Sequence, residues 1–199
     1  NYEFSALRDN RGVFYAYNSL VGSGTEEDPY IINDADTLYM IIASGGTHYG
    51  VPQYYKLGCN IDLEGKQWVD IDTFENTTYN VVFYQYVPFA GTIDGDGHTI
   101  SNLYSAPANG SYAGFVPQLA DGGVVKNINF LNCYAYSDNG DEAGVVAGEV
   151  NGTIENCSIE KSLTEHLYAP LDIFSDSGCE LTDCYVVDIE GNITYSNGI

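Results

Sequence analysis

The sequence predicts an all-β protein, a parallel β-helix of roughly six or seven coils with a short N-terminal helical cap. Two internal repeats and the composition predict this class. In the first repeat, an aliphatic residue, a polar residue and Asn or Asp precede a further aliphatic residue or Cys, and it occurs at 99–103, 124–128, 153–157 and 180–184. Its Asn or Asp positions lie 25, 29 and 27 residues apart. The second repeat matches 113–122 with 143–152, 30 residues later.

A repeat of this length is typical of short strands that turn into one another and stack coil upon coil. One coil cannot bury its inner face alone, so several must stack. The 22 Gly residues fit the turns, and the 18 Tyr residues fit strands. An Asn at the same place in each coil can form a ladder of side-chain hydrogen bonds. We expect Asn127 and Asn156 to be buried in such a ladder, because an unpaired buried amide costs about 1–3 kcal/mol.

The cysteine spacing predicts free thiols packed in the core rather than a zinc site. There are five, none in a CxxC pair, at Cys59, Cys133, Cys157, Cys179 and Cys184. Structural zinc sites use closely spaced Cys and His, and disulfide frameworks use an even number of Cys in smaller chains. We expect Cys133, Cys157 and Cys184 to be buried free thiols, packed as small apolar side chains.

A short helix precedes the first coil. Residues 34–44 have a capping Asp at the start and glycines just past the end, and Leu38, Ile41 and Ile42 form one apolar face. Placed at the open end of a solenoid, such a helix covers strand edges that invite aggregation.

The sequence predicts a single folded domain. We expect a lead-in strand segment over 1–21 and one β-helix domain over 22–199. The cap helix lies near 34–44 in this division, and residues 73–88 form an aromatic insertion between Trp68 and the strand at Phe89.

Two groups of segments carry a resemblance to a known family. The opening segments lie at 22–30, 55–57, 60–63 and 89–103, and short glycine-bracketed motifs lie at 113–116 and 143–146. Together they resemble bacterial surface proteins built from GLUG-type repeats. The resemblance implies a right-handed parallel β-helix in an adhesin-like, secreted or surface protein of bacteria or archaea, and it implies no particular ligand. The sequence departs from the pattern in the insertion at 73–88 and again after Lys161.

The charge excludes several classes of partner. The sequence has six Lys and Arg and 28 Asp and Glu, which gives a net charge of −22. Nucleic-acid binding depends on Lys and Arg, and so does adsorption to anionic membranes. No apolar run is long enough to span a membrane. We therefore expect an extracellular or cell-surface protein, with its signal peptide outside this sequence.

One polar turn is a candidate metal site. Asp94 and Asp96 alternate with glycines ahead of His98. These two carboxylates are fewer than the five or so oxygen ligands of a full calcium loop, so a glycine-rich corner explains them equally well. We expect no cofactor, with surface calcium at Asp94 and Asp96 as the alternative. A general-base role for His98 has no nucleophile in a recognisable context to support it.

An aromatic cluster is the candidate ligand site. Trp68, Tyr79, Tyr84 and Tyr86 lie in or near the insertion, and planar rings on a surface stack on sugar rings. The alternative is that these rings cover the core and the strand faces, as Tyr does in many β proteins.

The favoured function is a non-catalytic extracellular module for adhesion or for glycan or protein binding within a larger surface or secreted protein. Its partners would be a glycan, a host or bacterial surface protein, and other domains of the parent chain. Two alternatives stay open. One is a polysaccharide-active lyase or hydrolase, although the six scattered cations suit no polyanion clamp. The other is a passive structural spacer.

Overall fold

A computed structural model of the chain describes residues 20–48, 50–68, 75–76, 81–82, 87–107, 112–137, 143–166, 181–188 and 190–197. For 75–76, 81–82, 163–166 and 194–197, only the backbone is described.

The elements follow one another in short steps, with one helix among the described residues. The first part contains β1 (Tyr30–Ile32), α1 (Ala35–Ala43), β2 (Thr47–His48), β3 (Val51–Pro52), β4 (Tyr54–Leu57), β5 (Ile61–Asp62), β6 (Glu75–Asn76), β7 (Val81–Val82), β8 (Thr92–Asp94), β9 (Thr99–Ser101) and β10 (Tyr104–Ser105). The second contains β11 (Val116–Leu119), β12 (Val124–Lys126), β13 (Asn129–Leu131), β14 (Tyr134–Ser137), β15 (Ala147–Val150), β16 (Thr153–Glu155), β17 (Ser158–Glu160), β18 (Leu163–His166), β19 (Leu181–Thr182), β20 (Cys184–Val187) and β21 (Ile193–Asn197).

Most strands belong to parallel sheets that the chain visits in turn. One six-stranded sheet has the order β1-β4-β8-β12-β16-β19, and a second has the order β5-β9-β13-β17-β20-β21. Two smaller parallel sheets contain β10-β14-β18 and β11-β15. Antiparallel pairing occurs in the hairpins β2-β3 and β6-β7 and between β20 and β21. The prediction of an all-β protein is confirmed, and its strands are mainly parallel.

The register stacks apolar residues in columns that form the core. In the first six-stranded sheet the chain places a buried residue at the same position on every return. That column contains Tyr55, Ile93, Val125, Ile154 and Leu181. The second sheet has a matching column of Ile61, Ile100, Phe130, Ile159 and Val186. Because each buried side chain of this size contributes about 1.5–3 kcal/mol, these columns stabilise the stack.

Helix α1 forms where the sequence predicts it. The Asp34 carboxylate accepts a hydrogen bond from the Thr37 amide at 2.8 Å, which caps the first turn. Its apolar side chains are buried in the same core cluster as the sheet columns. Beyond the last turn, Gly45 and Gly46 take φ values of +72° and +66°, which glycine adopts without steric cost.

The recurring Asn and Asp residues lie at corners between strands, and one of the four is aligned differently from the prediction. Asn127, Asn156 and Asp183 are equivalent, since each follows a register-paired strand of the first sheet. Asn102 follows β9, which pairs with β13, so its equivalent is Asn132. All five have φ between +48° and +57°, a left-handed conformation that Asn and Asp tolerate better than other residues with a Cβ atom.

These corner residues form two ladders of hydrogen-bonded side chains. In the first, the Asn156 amide donates to Asn127 Oδ1 at 2.7 Å and the Asn127 amide donates to Asp94 Oδ1 at 2.8 Å. The second, which the sequence did not predict, joins Asn132 to Asn102 at 2.6 Å and Asn102 to Asp62 at 2.8 Å. The amide of Asn102 holds the pKa of Asp62 below its ordinary value.

The predicted burial of the first ladder is wrong. Asn156 is exposed and Asn127 is half-buried. The physical reason is that a corner turns the chain around the core, so a left-handed corner residue can keep its side chain outside. Two features therefore explain the repeated Asn: the left-handed backbone conformation and the hydrogen bonds of the side-chain amides.

Two substitutions at one corner separate these contributions. Asn156→Ala is expected to lower the free energy of unfolding by about 1–2 kcal/mol, because alanine lacks the short polar side chain that lets Asn adopt the left-handed conformation at lower cost. Asn156→Gly removes the same amide while keeping that conformation accessible, so its loss should be clearly smaller. Urea unfolding of both variants provides the measurement. Equal losses would assign the stability to the amide bond.

The predicted burial of three thiols is confirmed. Cys133, Cys157 and Cys184 are buried and unpaired. Cys157 directly precedes β17 and Cys184 begins β20, the strand that pairs with β17. Burial raises the pKa of Cys133 to about 11 and also raises the pKa of Cys157. The fourth described cysteine, Cys59, is half-buried.

This contrast predicts selective alkylation. A thiolate is the reactive form, and burial disfavours it at Cys133 and Cys157. The hydrogen bond with Cys157 lowers the pKa of Cys184, so that thiol is protected by its burial alone. Native protein treated with iodoacetamide near pH 8 should therefore be modified at Cys59 well before the three buried cysteines. Peptide mass spectrometry measures the modified fraction at each site, and denaturant should remove the difference. A peptide in which Cys157 is joined to Cys184 by a disulfide would contradict the prediction.

Candidate functional site

Three tyrosines lie on the outer side of the small parallel sheet β10-β14-β18. Tyr104 begins β10, and Tyr134 and Tyr136 alternate along β14. Successive strand residues point to opposite sides, so the intervening Ser105, Ala135 and Ser137 are buried while the tyrosines are not. Tyr104 is 40% exposed and the other two are half-buried. We call Tyr104, Tyr134 and Tyr136 the tyrosine face.

The rings of the tyrosine face are nearly parallel. Tyr104 and Tyr134 are register partners, with centroids 5.5 Å apart and planes inclined by 14°. Tyr134 and Tyr136 have centroids 6.5 Å apart and planes inclined by 11°. Offset parallel rings are a favourable aromatic arrangement, so each ring limits the rotation of the next. The face is therefore ordered before any ligand arrives.

Gln67 borders these rings on one side. Gln67 forms a parallel bridge with Tyr104, one strand spacing away, and it is half-buried. The Gln67 side-chain amide donates to the Trp68 carbonyl oxygen at 3.1 Å. On the other side, the register places Leu163 opposite Tyr134 and Glu165 opposite Tyr136. The arrangement combines aromatic area with the hydrogen-bonding side chain of Gln67 at its border.

Trp68 does not belong to a surface site. Its side chain is fully buried, and its Nε1–H donates to the Phe115 carbonyl oxygen at 2.8 Å. Its ring stacks on the Phe115 ring, with the two centroids 6.1 Å apart. The Tyr39 ring, from α1, makes an edge contact with the Trp68 ring, and the two ring centroids are 5.5 Å apart. The prediction of an exposed ring at Trp68 is corrected by this position, because a ring enclosed by core side chains has no surface to offer a glycan.

The other predicted aromatic ligands, Tyr79, Tyr84 and Tyr86, lie outside the described residues. The proposed role of the insertion at 73–88 in binding stays a prediction. The same holds for most of the lead-in segment predicted over 1–21.

The carboxylates of Asp94 and Asp96 have partners from the protein itself. Asp94 Oδ1 accepts from the Asn127 amide and from the Asp96 backbone N–H, each at 2.8 Å. Its other oxygen lies 3.7 Å from Lys126 Nζ, and Asp96 lies 2.9 Å from Lys56 Nζ. The hydrogen bond to Asp96 raises the pKa of Lys56. These contacts stabilise the corner that follows β8. A calcium ion bound by Asp94 and Asp96 would have to displace Lys56 from Asp96.

Within the described residues, no three His, Cys, Asp or Glu side chains come together as a group that could hold a metal ion. His98, in the same turn, has its Nδ1 atom 3.2 Å from Asn60 Oδ1. Asn60 Oδ1 also accepts from the Thr99 backbone amide at 2.9 Å. This places His98 in the hydrogen bonding of the corner.

Sequence reasoning missed the tyrosine face, although a signal for it was present. Tyr104 follows Asn102 by two residues, and Tyr134 follows Asn132 by two residues. Once Asn102 is aligned with Asn132 rather than Asn127, the two tyrosines become equivalent. The alternation of Tyr134 and Tyr136 then places a third ring on the same side.

Comparison with known proteins finds two similar sequences and one similar structure. The chain is 34% identical to Halomucin of Haloquadratum walsbyi over 141 residues, which are 68% of this chain and 1% of that protein. It is 27% identical over 142 residues to a protein of Evansella cellulosilytica provisionally named a Gly-rich membrane protein, covering 70% of this chain and 15% of the other. The chain thus spans a small fraction of either relative.

A solved structure from Bacteroides ovatus, provisionally described as an immunoglobulin A1 protease, matches 84% of this chain and 59% of its own with a TM-score of 0.48 and 17% identity. No family model matches the sequence, so the resemblance to GLUG-type repeats stays a prediction. Among the described residues, no helix has the length and apolar character needed to cross a membrane.

Proposed function

We propose that the chain is a non-catalytic extracellular module that binds a glycan or a protein as part of a larger surface or secreted protein. The observation that carries the proposal is the tyrosine face, which presents ordered aromatic rings on the outside of a sheet. A protein that served only as a spacer has no need of such rings.

The proposed scaffold is a right-handed parallel β-helix of six or seven coils in one domain over 22–199. The six parallel strands of the first large sheet support this count, because each coil contributes one strand to that sheet; the second large sheet has five parallel strands and the antiparallel β21. Helix α1 is the proposed cap at the N-terminal end. Charged residues on the outer side of the first sheet alternate in sign along the stack, which suits a solvated exterior. They are Lys56, Asp94, Lys126 and Glu155.

The proposed location rests on the relatives and on the charge. One relative carries the name Halomucin and the other is named as a membrane protein, and both are far longer than this chain. A module repeated or embedded in a long surface protein would show such partial coverage. The net charge of −22 keeps such a module soluble by repulsion.

Adhesion of coated beads tests the proposal. Beads carrying the protein are incubated with intact bacterial cells and with purified cell-wall polysaccharide, and beads carrying an unrelated acidic protein of similar net charge serve as the control. We expect retention above the control on at least one surface. Retention equal to the control on both would favour the spacer, and release of reducing sugars from the polysaccharide would favour the enzyme.

A further inference from the structure

We propose that the tyrosine face is a binding site for a neutral oligosaccharide, whose sugar rings stack on Tyr104, Tyr134 and Tyr136. This inference rests on the proposed function and names both the site and the class of ligand. Its first support is the set of nearly parallel planes, inclined by 14° and 11°. The apolar face of a pyranose ring matches a planar aromatic surface, and an ordered pair of rings loses little entropy on binding.

The size of the face favours a glycan over a protein. Three whole tyrosine side chains would offer about 450–750 Å², and these are already partly covered by the protein. A stable protein–protein interface needs about 800 Å² from each partner. Of the other exposed large apolar residues described, Val21, Val51, Val87 and Ile193, none lies on β10, β14 or β18. The aromatic area fits a few sugar rings.

The charges favour a neutral glycan over an acidic one. The sequence has four lysines, and each of them is in an ion pair with a carboxylate of the protein itself, namely Lys56 with Asp96, Lys66 with Glu64, Lys126 with Asp94 and Lys161 with Glu160. A uronate or a sulfated sugar that drew on these lysines would therefore have to compete with these carboxylates. It would also meet the repulsion of a net charge of −22. The same repulsion argues against stacking of nucleic-acid bases.

Hydrogen-bonding groups at the border suit sugar hydroxyls. Gln67 lies one strand spacing from Tyr104, and its amide has both donors and an acceptor. The phenolic hydroxyl groups of the face can also donate and accept. A neutral sugar offers the complementary hydroxyl groups together with an apolar ring face, which is the combination that the face presents.

The first experiment is a glycan array that carries neutral oligosaccharides (glucans, mannans, galactans and N-acetylglucosamine oligomers) and acidic ones (uronate and sulfated oligosaccharides). We expect the fluorescently labelled protein to bind a subset of the neutral group and none of the acidic group. Preference for acidic glycans would overturn the proposal, as would binding to no glycan at all. Bead adhesion that persists in that case would leave the proposed function standing with a protein ligand.

The second experiment locates the site with the best neutral oligosaccharide from the array, by isothermal titration calorimetry. Tyr104→Ala and Tyr134→Ala are each expected to weaken binding about tenfold or more, the scale of one lost stacking contact. Tyr104→Phe keeps the ring and should retain most of the affinity. Tyr185→Ala is the matched control, since Tyr185 is a half-buried tyrosine on β20 in another sheet.

Melting curves show whether each variant is folded, and Tyr104 is exposed enough for its replacement to be tolerated. A loss of affinity in the two alanine variants, with Tyr104→Phe and Tyr185→Ala close to the parent, would support the site. Unchanged affinity in folded Tyr104→Ala and Tyr134→Ala would overturn it, even if the protein binds glycans elsewhere.

Discussion

Replacing Trp68 by alanine is expected to lower the free energy of unfolding by about 3–5 kcal/mol, the usual range for removing a buried large aromatic side chain. Trp68 is among the largest fully buried side chains described, and it contacts Phe115 through its ring face and Tyr39 through an edge contact. The variant leaves a cavity between α1 and the sheets. Urea unfolding followed by circular dichroism measures the loss.

Trp68→Phe separates packing from hydrogen bonding at the same position. Phenylalanine fills most of the cavity but cannot donate to the Phe115 carbonyl oxygen, which now accepts from Trp68 Nε1 at 2.8 Å. Because most of the cavity is filled, Trp68→Phe should lower the free energy of unfolding by less than Trp68→Ala does. We expect about 1–3 kcal/mol, the cost of leaving a buried acceptor without its donor. A loss below 1 kcal/mol in Trp68→Ala would contradict the buried position of the ring.

The fold could be predicted from the sequence as far as local patterns reach. Leu38, Ile41 and Ile42 sit on one face of a helix whatever the rest of the chain does, so α1 was predictable. The spacing of Asn127, Asn156 and Asp183 also identified true equivalents, because each corner repeats the same left-handed turn. What the pattern did not contain was the direction in which a corner side chain points, which is why the predicted burial of Asn156 was wrong.

The candidate site was harder to predict because it depends on pairing over long sequence distances. Trp68 is buried through Phe115, 47 residues away, and nothing near Trp68 in sequence indicates that contact. Tyr104 and Tyr134 meet only when β10 pairs with β14. Aligning Asn102 with Asn127 shifted that register and separated the two tyrosines. A search for aromatic residues crowded in sequence therefore pointed to the insertion rather than to this sheet.

Substitution of Gly152 is the second change with a large expected effect, since two stacked turns leave no room there for a side chain. A Cβ atom at Gly152 would overlap the Gly123 carbonyl oxygen and would lie 2.7 Å from the Ala120 carbonyl oxygen. Both are backbone atoms, which cannot move without disturbing the pairing of β12 with β16. Gly152→Asn should therefore lower the free energy of unfolding by about 1–3 kcal/mol, the range for overpacked positions.

Gly122→Asn is the matched control, because it introduces the same side chain into the preceding turn. Gly122 has φ of +78°, and a Cβ atom there would meet no other atom within 4 Å. Asn tolerates left-handed backbone, so this change should stay within about 0.5 kcal/mol of the parent in the same urea titration. A large loss at Gly122 with none at Gly152 would mean that backbone conformation, and not the close approach of stacked turns, selects glycine in this repeat. We expect the opposite, a larger loss at Gly152 than at Gly122, because only Gly152 lies in close contact with the backbone of the neighbouring turn.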